Sequence, residues 1–223
     1  MTAATRAASL ADQLRDAIRS GTYVCGERLV ELTLSQQMNV SQNTVRDALY
    51  ILQAEGWVVK QARRGVFVRD FSPEEAVEVY ALWAAVEGLA LRWAIPLLTR
   101  SSLNGLRRTL KQARTLALTG DVRRSTEAVL ALHESIGRLA GRPQTRDLLA
   151  RLRNQVHLLE VVRHMRAPRT QHAQSAQIML YEKLVSLMES GAADDAQQLL
   201  EYLIKTDAET LLPALNYSKP PRP

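Results

Sequence analysis

The stretch Leu29–Leu52, LVELTLSQQMNVSQNTVRDALYIL, decides the fold of this chain. It reads as two short helices joined by a tight turn. From Val45 onward, apolar residues recur at i, i+3, i+4 and i+7, which is the spacing of one face of a helix. Ser41 stands just before this pattern. A serine oxygen in that position accepts a hydrogen bond from a backbone N–H group in the first turn of the helix. We therefore expect the second helix to begin at Gln42.

The first turn of this second helix carries polar side chains that have no partner in their own segment. Gln42, Asn43 and Thr44 are expected to point outward, with Arg46 one turn further on. Amide, hydroxyl and guanidinium groups are the groups that read base edges when a helix-turn-helix enters the major groove. The stretch therefore predicts a DNA-binding element.

The flanking sequence extends this element. Before it, an apolar stripe from Leu10 to Ile18 has helical spacing and ends at Ser20-Gly21. After it, two β-prone runs, Trp57–Lys60 and Val66–Arg69, surround a basic tip. Three helices followed by such a hairpin make a winged helix-turn-helix.

The hairpin tip is the wing of this arrangement. Arg63 and Arg64 are expected to meet DNA phosphate or the minor groove, and Gly65 allows the backbone to come close. A basic hairpin tip taken alone is more often a solvated turn. Its position after a helix-turn-helix favours DNA contact.

Beyond Pro73 the sequence changes character. No strand pattern recurs, and helical segments are separated by Gly and Pro breakers. We predict helices over residues 73–95, 101–118, 122–140, 144–166, 172–190 and 194–212, which form an antiparallel bundle. The expected class is mainly α, with a winged helix-turn-helix domain over residues 1–70, an all-helical regulatory domain over 71–215 and a disordered tail over 216–223.

Composition bounds the function classes. The 223 residues are 46% hydrophobic and carry a net charge of +6, which suits a polyanionic partner, although residues 1–70 hold nine Lys/Arg against seven Asp/Glu. The single cysteine, Cys25, fits a reducing compartment. The most apolar stretch, residues 80–98, is interrupted by Glu87 and Arg92, so no membrane span is expected. We expect a cytoplasmic protein.

Enzyme signatures are missing from the sequence. It has no His-Glu-x-x-His motif, no cysteine pair, no phosphate-binding glycine loop and no nucleophile beside a candidate base. His133 and Glu134 are adjacent, so they would point to different faces of a helix. We therefore expect a protein that is not an enzyme.

With both halves in view, the chain resembles the GntR family of bacterial transcription regulators, in its FadR branch with a helical FCD effector domain. The resemblance rests on four motifs in the first domain and on the wing glycine Gly65. The motifs are Leu14-Arg15-x-Ala17-Ile18-x-x-Gly21, Gly26-x-x-Leu29-x-Glu31, Val40-Ser41-x-x-x-Val45-Arg46-x-Ala48-Leu49 and Leu52-x-x-Glu55-Gly56.

The resemblance implies a homodimer that binds a pseudo-palindromic double-stranded operator, with repression as the expected outcome. The residues that we expect on DNA are Ser41, Gln42, Asn43, Thr44, Arg46, Arg63, Arg64 and Gly65. Gln42 departs from the family, which usually has arginine at that place. Because a glutamine amide favours adenine, we expect an operator altered from the usual half-site of the family.

The helical domain also departs from its relatives. Many FCD domains hold a divalent metal with an aspartate and three histidines. Here His133 is the one retained ligand, while Val129, Tyr181 and about Leu203 stand at the other three places. A lone imidazole does not hold a divalent ion. We therefore expect no metal and no other cofactor.

The same departures predict the chemistry of the effector. Trp83 stands where many relatives have a cavity arginine, so the pocket is expected to be apolar and aromatic, and Arg153 or His157 is expected to anchor an anionic head group. The expected effector residues are Trp83, Glu87, Val129, His133, Arg153, His157, Tyr181 and Leu203. Two alternatives stay open: a solvated polar row on residues 153–164, and a filled helical domain in a constitutive DNA-binding regulator.

Overall fold

The computed structural model describes residues 3–215. Three helices open the chain: α1 (Ala3–Arg19), α2 (Glu31–Gln37) and α3 (Gln42–Ala54). The predicted start of α3 at Gln42 is confirmed. The Ser41 hydroxyl accepts a hydrogen bond of 3.2 Å from the backbone N–H of Thr44, as expected of an N-cap. Asn39, with φ +50, turns the chain between α2 and α3 in the left-handed region that asparagine tolerates.

Helix α3 packs on α1 through its apolar face. Val45, Ala48 and Leu52 are fully buried, as are Leu14 and Ile18 of α1. Because a helix has 3.6 residues per turn, burial of these positions fixes the orientation of all the others. The polar residues of the first turn of α3 are therefore turned away from the core.

Three short strands complete this region: β1 (Arg28–Leu29), β2 (Val58–Gln61) and β3 (Gly65–Val68), in the antiparallel order β1-β3-β2. The predicted hairpin is confirmed, because β2 and β3 pair antiparallel. The expectation that Leu29 lies in the first helix of the helix-turn-helix was wrong, and the third strand, β1, was not predicted. Leu29 instead pairs with Val66 of β3. A strand of two residues has no periodicity, so its pairing is set by β3 and not by its own sequence.

Six further helices follow: α4 (Pro73–Ala94), α5 (Arg100–Leu118), α6 (Val122–Leu139), α7 (Pro143–Arg166), α8 (Gln171–Ser190) and α9 (Ala193–Leu215), with a 3₁₀ turn at Ile95–Leu97 after α4. The predicted bounds agree to within one residue, except that α9 continues to Leu215. This helix contains Pro213 in its last turn, where we expected the helix to have ended. The tail over residues 216–223 lies outside the described residues.

By its internal contacts the chain forms two units. One comprises the chain up to Ser72 together with Asn154–Val162 of α7, and the other comprises Pro73–Arg153 and the chain from Arg163 onward. In the second unit, α4 packs on α9 and α6, and α5 packs on α6 and α8. The mainly α class is confirmed. None of the described helices combines the length and apolarity that crossing a membrane requires.

Candidate nucleic-acid interface and effector cavity

The outer surface of α3 presents the residues predicted to contact DNA. Gln42, Asn43 and Arg46 are exposed, and Thr44 is half-buried. The Ser41 hydroxyl is already engaged, since it lies 2.9 Å from the Thr44 hydroxyl in addition to capping the helix. Its role is therefore at least partly to hold the first turn of α3.

Arg46 is held by an acidic residue of α2. Its Nη2 donates to Oε2 of Glu31 at 2.8 Å, and this hydrogen bond raises the pKa of the Arg46 guanidinium above its ordinary value. Nε of Arg46 also donates to Oε1 of Glu31 at 3.4 Å, so three of the five guanidinium N–H groups lie outside this pair and can bind a base or a phosphate. The sequence motif included Glu31, but sequence reasoning assigned it no role; the structure makes it the positioning partner of Arg46.

The wing depends on backbone conformations that few residues adopt. Arg63 has φ +60 and Gly65 has φ +108. The positive φ of Gly65 favours glycine, and a Cβ atom there would also lie 3.2 Å from Nε of Arg28, a tight contact with a flexible side chain. Sequence reasoning missed Arg28, which the pairing of β1 with β3 brings to the wing.

The wing tip carries free positive charge. Arg63 and Arg64 are exposed and have no acidic partner in the described part of the chain, although Arg64 lies 5.6 Å from the Phe67 ring. Lys60 of β2 adds another cation, over the Tyr50 ring of α3 at 5.7 Å.

Three acidic residues of the first unit pair with arginines of α1. Glu55 and Asp12 both pair with Arg15, and Asp16 lies 4.0 Å from Arg19. Glu31 and the exposed Asp47 remain at α2 and α3, so the unpaired positive charge is concentrated at the wing tip.

In the second unit, three buried polar side chains form a hydrogen-bonded chain. Nδ1 of His133 lies 2.8 Å from Oε1 of Glu87, and Nε2 of His133 lies 2.8 Å from the hydroxyl of Tyr181. Burial raises the pKa of Tyr181 well above its ordinary value, so the phenol stays protonated. Trp83 packs on the imidazole, with ring centroids 4.5 Å apart.

This arrangement does not fit the metal site of the family. Both ring nitrogens of His133 already have partners, and Val129 and Leu203 offer no ligand atom. Over residues 3–215, no three His, Cys, Asp or Glu side chains come together closely enough to hold a metal ion. The hydroxyl of Tyr181 and the carboxylate of Glu87 occupy the places around His133 where other groups would have to approach.

A cavity of about 170 Å³ lies beside the hydrogen-bonded side chains of Glu87 and His133. Trp83, Glu87 and His133 form part of its wall, and Leu149 adds an apolar surface. Its remaining lining is strongly charged and comprises Arg138, Arg146, Arg153, Glu134 and Asp147, together with Gly137 and Ala150. The cavity therefore combines an aromatic wall with three guanidinium groups and three carboxylates.

Each guanidinium group of the cavity wall lies near a carboxylate of the same wall. Arg153 lies 3.5 Å from Glu134, which also accepts from Arg138 at 3.1 Å. Arg146 and its neighbour Asp147 are exposed, and their shortest contact is 3.2 Å. Oε2 of the buried Glu87 has no hydrogen-bond partner in the described part of the chain.

The predicted effector residues are thus partly brought together. Four of them line the cavity: Trp83, Glu87, His133 and Arg153. Tyr181 lies behind His133, and Val129 and Leu203 are buried in the core. His157 belongs to the first unit, where its ring stacks on Trp57 at 6.1 Å. Sequence reasoning missed Arg138 and Arg146, because it gave no way to relate the end of α6 to the start of α7.

Comparison with family models identifies both halves of the chain. Residues 6–68 match the model described as bacterial regulatory proteins, gntR family, and residues 78–206 match the FCD domain. The chain belongs to the GntR family of bacterial regulatory proteins and carries an FCD domain.

Known relatives are named as transcription regulators. The HTH-type transcriptional regulator YdhC of Bacillus subtilis is 22% identical over 156 residues, which is 69% of either chain. The Nta operon transcriptional regulator of Aminobacter aminovorans is 32% identical over 130 residues, 58% of this chain and 60% of its own length.

Solved structures show the same fold. A GntR protein from Rhodococcus sp. RHA1 is 25% identical and covers 96% of this chain and 100% of its own, with a TM-score of 0.80. Escherichia coli McbR/YncC reaches a TM-score of 0.82 over 95% of this chain and 99% of its own at 16% identity, which is a likeness of fold alone.

The buried hydrogen-bonded chain leads to a stability prediction. Replacement Tyr181→Phe leaves Nε2 of His133 without a partner, and we expect the free energy of unfolding to fall by about 1–3 kcal/mol. Tyr202→Phe is the matched control: Tyr202 is 58% exposed, and we expect a change within about 0.5 kcal/mol. Urea denaturation followed by circular dichroism measures both; equal midpoints and slopes for the two variants would contradict the importance of this hydrogen bond.

Proposed function

We propose that this chain is a sequence-specific, DNA-binding transcriptional repressor of the FadR branch, which acts in the cytoplasm as a homodimer on a pseudo-palindromic operator. The observation that carries the proposal is the exposed first turn of α3, with Gln42, Asn43 and Arg46 turned outward from a capped, tightly packed helix. The family to which the chain belongs supports the same function. Repression is inferred from the resemblance.

In this proposal the two elements of the first unit have different tasks. Side chains of α3 read base edges in the major groove, while Arg63 and Arg64 of the wing contact phosphate or the minor groove. Base contacts determine the sequence that is bound, and phosphate contacts provide affinity that falls with salt. Glu31 holds Arg46 in a direction from which it can reach the DNA.

Arg46 is the side chain whose loss should weaken binding most clearly. For Arg46→Ala we expect the binding free energy for a selected operator to become less favourable by about 1–3 kcal/mol, so the dissociation constant rises roughly 5- to 150-fold. The matched control is Arg123→Ala on α6, which removes an exposed arginine paired to Glu127 within its own helix. Fluorescence anisotropy with labelled duplex compares the two; an equal loss in both variants would mean that Arg46 acts only through net charge.

Gln42 is proposed to determine one base of the half-site. A glutamine amide binds adenine N6 and N7, whereas an arginine binds guanine O6 and N7. Selection from a random duplex pool should return adenine at one symmetric pair of positions for the wild type. The variant Gln42→Arg should return guanine at the same positions, with the rest of the site unchanged. If both proteins select the same site, Gln42 does not read a base.

For the second unit we propose a small aromatic carboxylic acid as the effector, bound in the cavity without a metal. The three guanidinium groups supply the charge for a carboxylate, with Arg153 as its principal partner, and the face of Trp83 and Leu149 supply an apolar wall for the ring. Neither ring nitrogen of His133 is free to take a metal ion, which supports the metal-free form.

A second candidate function is a constitutive regulator without an effector. It is favoured by the dense packing around the predicted pocket, since Val129, Tyr181 and Leu203 are buried in the core and offer no space. The two candidate functions differ in whether a ligand stabilises the second unit. Only the first requires that the second unit gain stability from a ligand.

Thermal unfolding of the dialysed protein distinguishes these candidates. Benzoate or phenylacetate at about 100 times its dissociation constant should stabilise the protein by roughly 2.7 kcal/mol, a shift of several degrees, because it binds only the folded state. Arg153→Gln should reduce the shift, and Arg114→Gln, an exposed arginine on α5, should keep it. Butyrate, which lacks the ring, should give a smaller shift.

A ligand shift that is equal in Arg153→Gln and wild type would refute the cavity as the binding site. Absence of any shift across aromatic and aliphatic acids would favour the constitutive regulator. A rise of several degrees with Zn²⁺, Ni²⁺ or Mn²⁺, reversed by a chelator, would refute the metal-free site.

A further inference from the structure

Helix α4 is apolar on both of its sides. One side is buried in the bundle through residues such as Tyr80, Trp83 and Leu91. The other side is exposed and carries Val77, Leu82 and Leu89, which are 45%, 49% and 43% exposed. The exposed alanines Ala81 and Ala85 lie between these larger side chains.

This exposed side is unusual for a helix of a folded domain. A surface helix normally has one polar side, and a helix that is apolar all round is normally buried all round. Contiguous exposed apolar surface marks an interaction site more often than isolated apolar residues do. The exposed side of α4, from Val77 to Arg92, is therefore a surface that requires a partner; we refer to it as the α4 face.

The residue pattern of the α4 face indicates what kind of partner fits. Positions 78, 82, 85, 89 and 92 recur at i, i+4, i+7, i+11 and i+14, which is the seam of a helix that packs against another helix. The small side chain of Ala85 stands at the centre of this seam, and Ala81 lies one turn before it. Small residues at these places allow two helix backbones to approach closely.

The charges on the α4 face are arranged symmetrically. Glu78 and Arg92 stand seven residues before and seven residues after Ala85, and they are exposed charged side chains at the two ends of the apolar seam. Arg92 pairs with Asp194 of its own chain, which leaves further guanidinium N–H groups available. Glu78 makes no ion pair in the described part of the chain.

This arrangement is self-complementary in one orientation. If two copies of α4 cross antiparallel with Ala85 on the two-fold axis, Glu78 of each copy meets Arg92 of the other, and Leu89 covers Ala81. A parallel pairing in register would instead place Glu78 against Glu78 and Arg92 against Arg92. Like charges opposed across an interface weaken association, so the antiparallel pairing is favoured.

We propose that a second copy of this chain docks antiparallel on the α4 face, with Ala85 at the two-fold axis and two Glu78–Arg92 ion pairs at the ends. This proposal rests on the homodimer of the proposed function and assigns the α4 face as the dimer interface. The apolar seam supplies the buried area, and the charge pairs determine the orientation and the register.

Cysteine cross-linking tests the register directly. In a Cys25→Ala background, Ala85→Cys should form a covalent dimer under mild oxidation, because this position meets itself at the axis and a disulfide needs Cα atoms within about 7 Å. Ala81→Cys alone should stay unlinked, since its two copies lie roughly 12 Å apart along the helices at 1.5 Å per residue. A mixture of Ala81→Cys and Leu89→Cys should link.

The controls separate this contact from chance collision. Met179→Cys places an equally accessible thiol on α8, where Met179 is 63% exposed, and should not link. Cross-linking of Ala81→Cys alone, or failure of Ala85→Cys to link when the protein is dimeric, would overturn the proposed register.

Charge reversal tests the end contacts in solution. Glu78→Arg or Arg92→Glu alone should raise the dimer dissociation constant at least 10-fold in sedimentation equilibrium. The double variant, which restores both pairs with the signs exchanged, should recover most of the loss. Glu182→Arg on α8 is the control and should leave the constant unchanged. No recovery in the double variant would overturn the pairing.

The wild-type measurement distinguishes the two levels of the proposal. A wild-type chain that stays monomeric at micromolar concentration overturns both the homodimer and the α4 face. A wild-type dimer that is unaffected by the α4 substitutions overturns the α4 face alone and leaves the proposed function standing.

Discussion

Burial of one side of α3 is the constraint on which the DNA-binding half depends. Val45, Ala48 and Leu52 are fully buried, together with Leu14 and Ile18 of α1. A helix cannot bury these positions without presenting the positions between them to solvent. The recognition surface is thus a consequence of core packing, and the Ser41 cap determines where that surface begins. Substitutions of these core residues should therefore change DNA binding, because they change the orientation of α3.

A comparable constraint shapes the helical half. His133 sits in the core with hydrogen bonds on both ring nitrogens, to Glu87 and to Tyr181. Buried polar groups need such partners, because an unpaired one costs about 1–3 kcal/mol. These partners occupy both ring nitrogens of His133, which is the basis of the proposed metal-free site. Within this cluster, Oε2 of Glu87 is the one polar side-chain atom without a hydrogen-bond partner among the described residues.

Much of the fold was predictable from local sequence. Six long helices follow from their periodicity and breakers, and α3 follows from its apolar spacing and Ser41. Strand β1 was not predictable, because two residues carry no pattern and the pairing of Leu29 with Val66 joins segments far apart in sequence. The role of Arg28 at the wing was hidden for the same reason.

The candidate sites were predictable only in part. Residues of α3 and the wing lie on short segments whose spacing fixes which side chains point outward. Glu87 was predicted as an effector residue that interrupts an apolar run, and its hydrogen bond to His133, 46 residues away, was not predicted. His157 shares a helix with Arg153, yet it belongs to the first unit, where its ring stacks on Trp57 of the same unit. Helical spacing shows that residues share a face, but it does not show what that face meets.

Competition binding at physiological salt tests most directly whether α3 and the wing read a particular DNA sequence. The full-length chain is titrated with its selected operator and with a scrambled duplex of identical base composition. We predict that the operator binds at least 10³-fold more tightly, the ratio typical of specific recognition. Equal affinities for the two duplexes would show that binding is only electrostatic and would contradict the account.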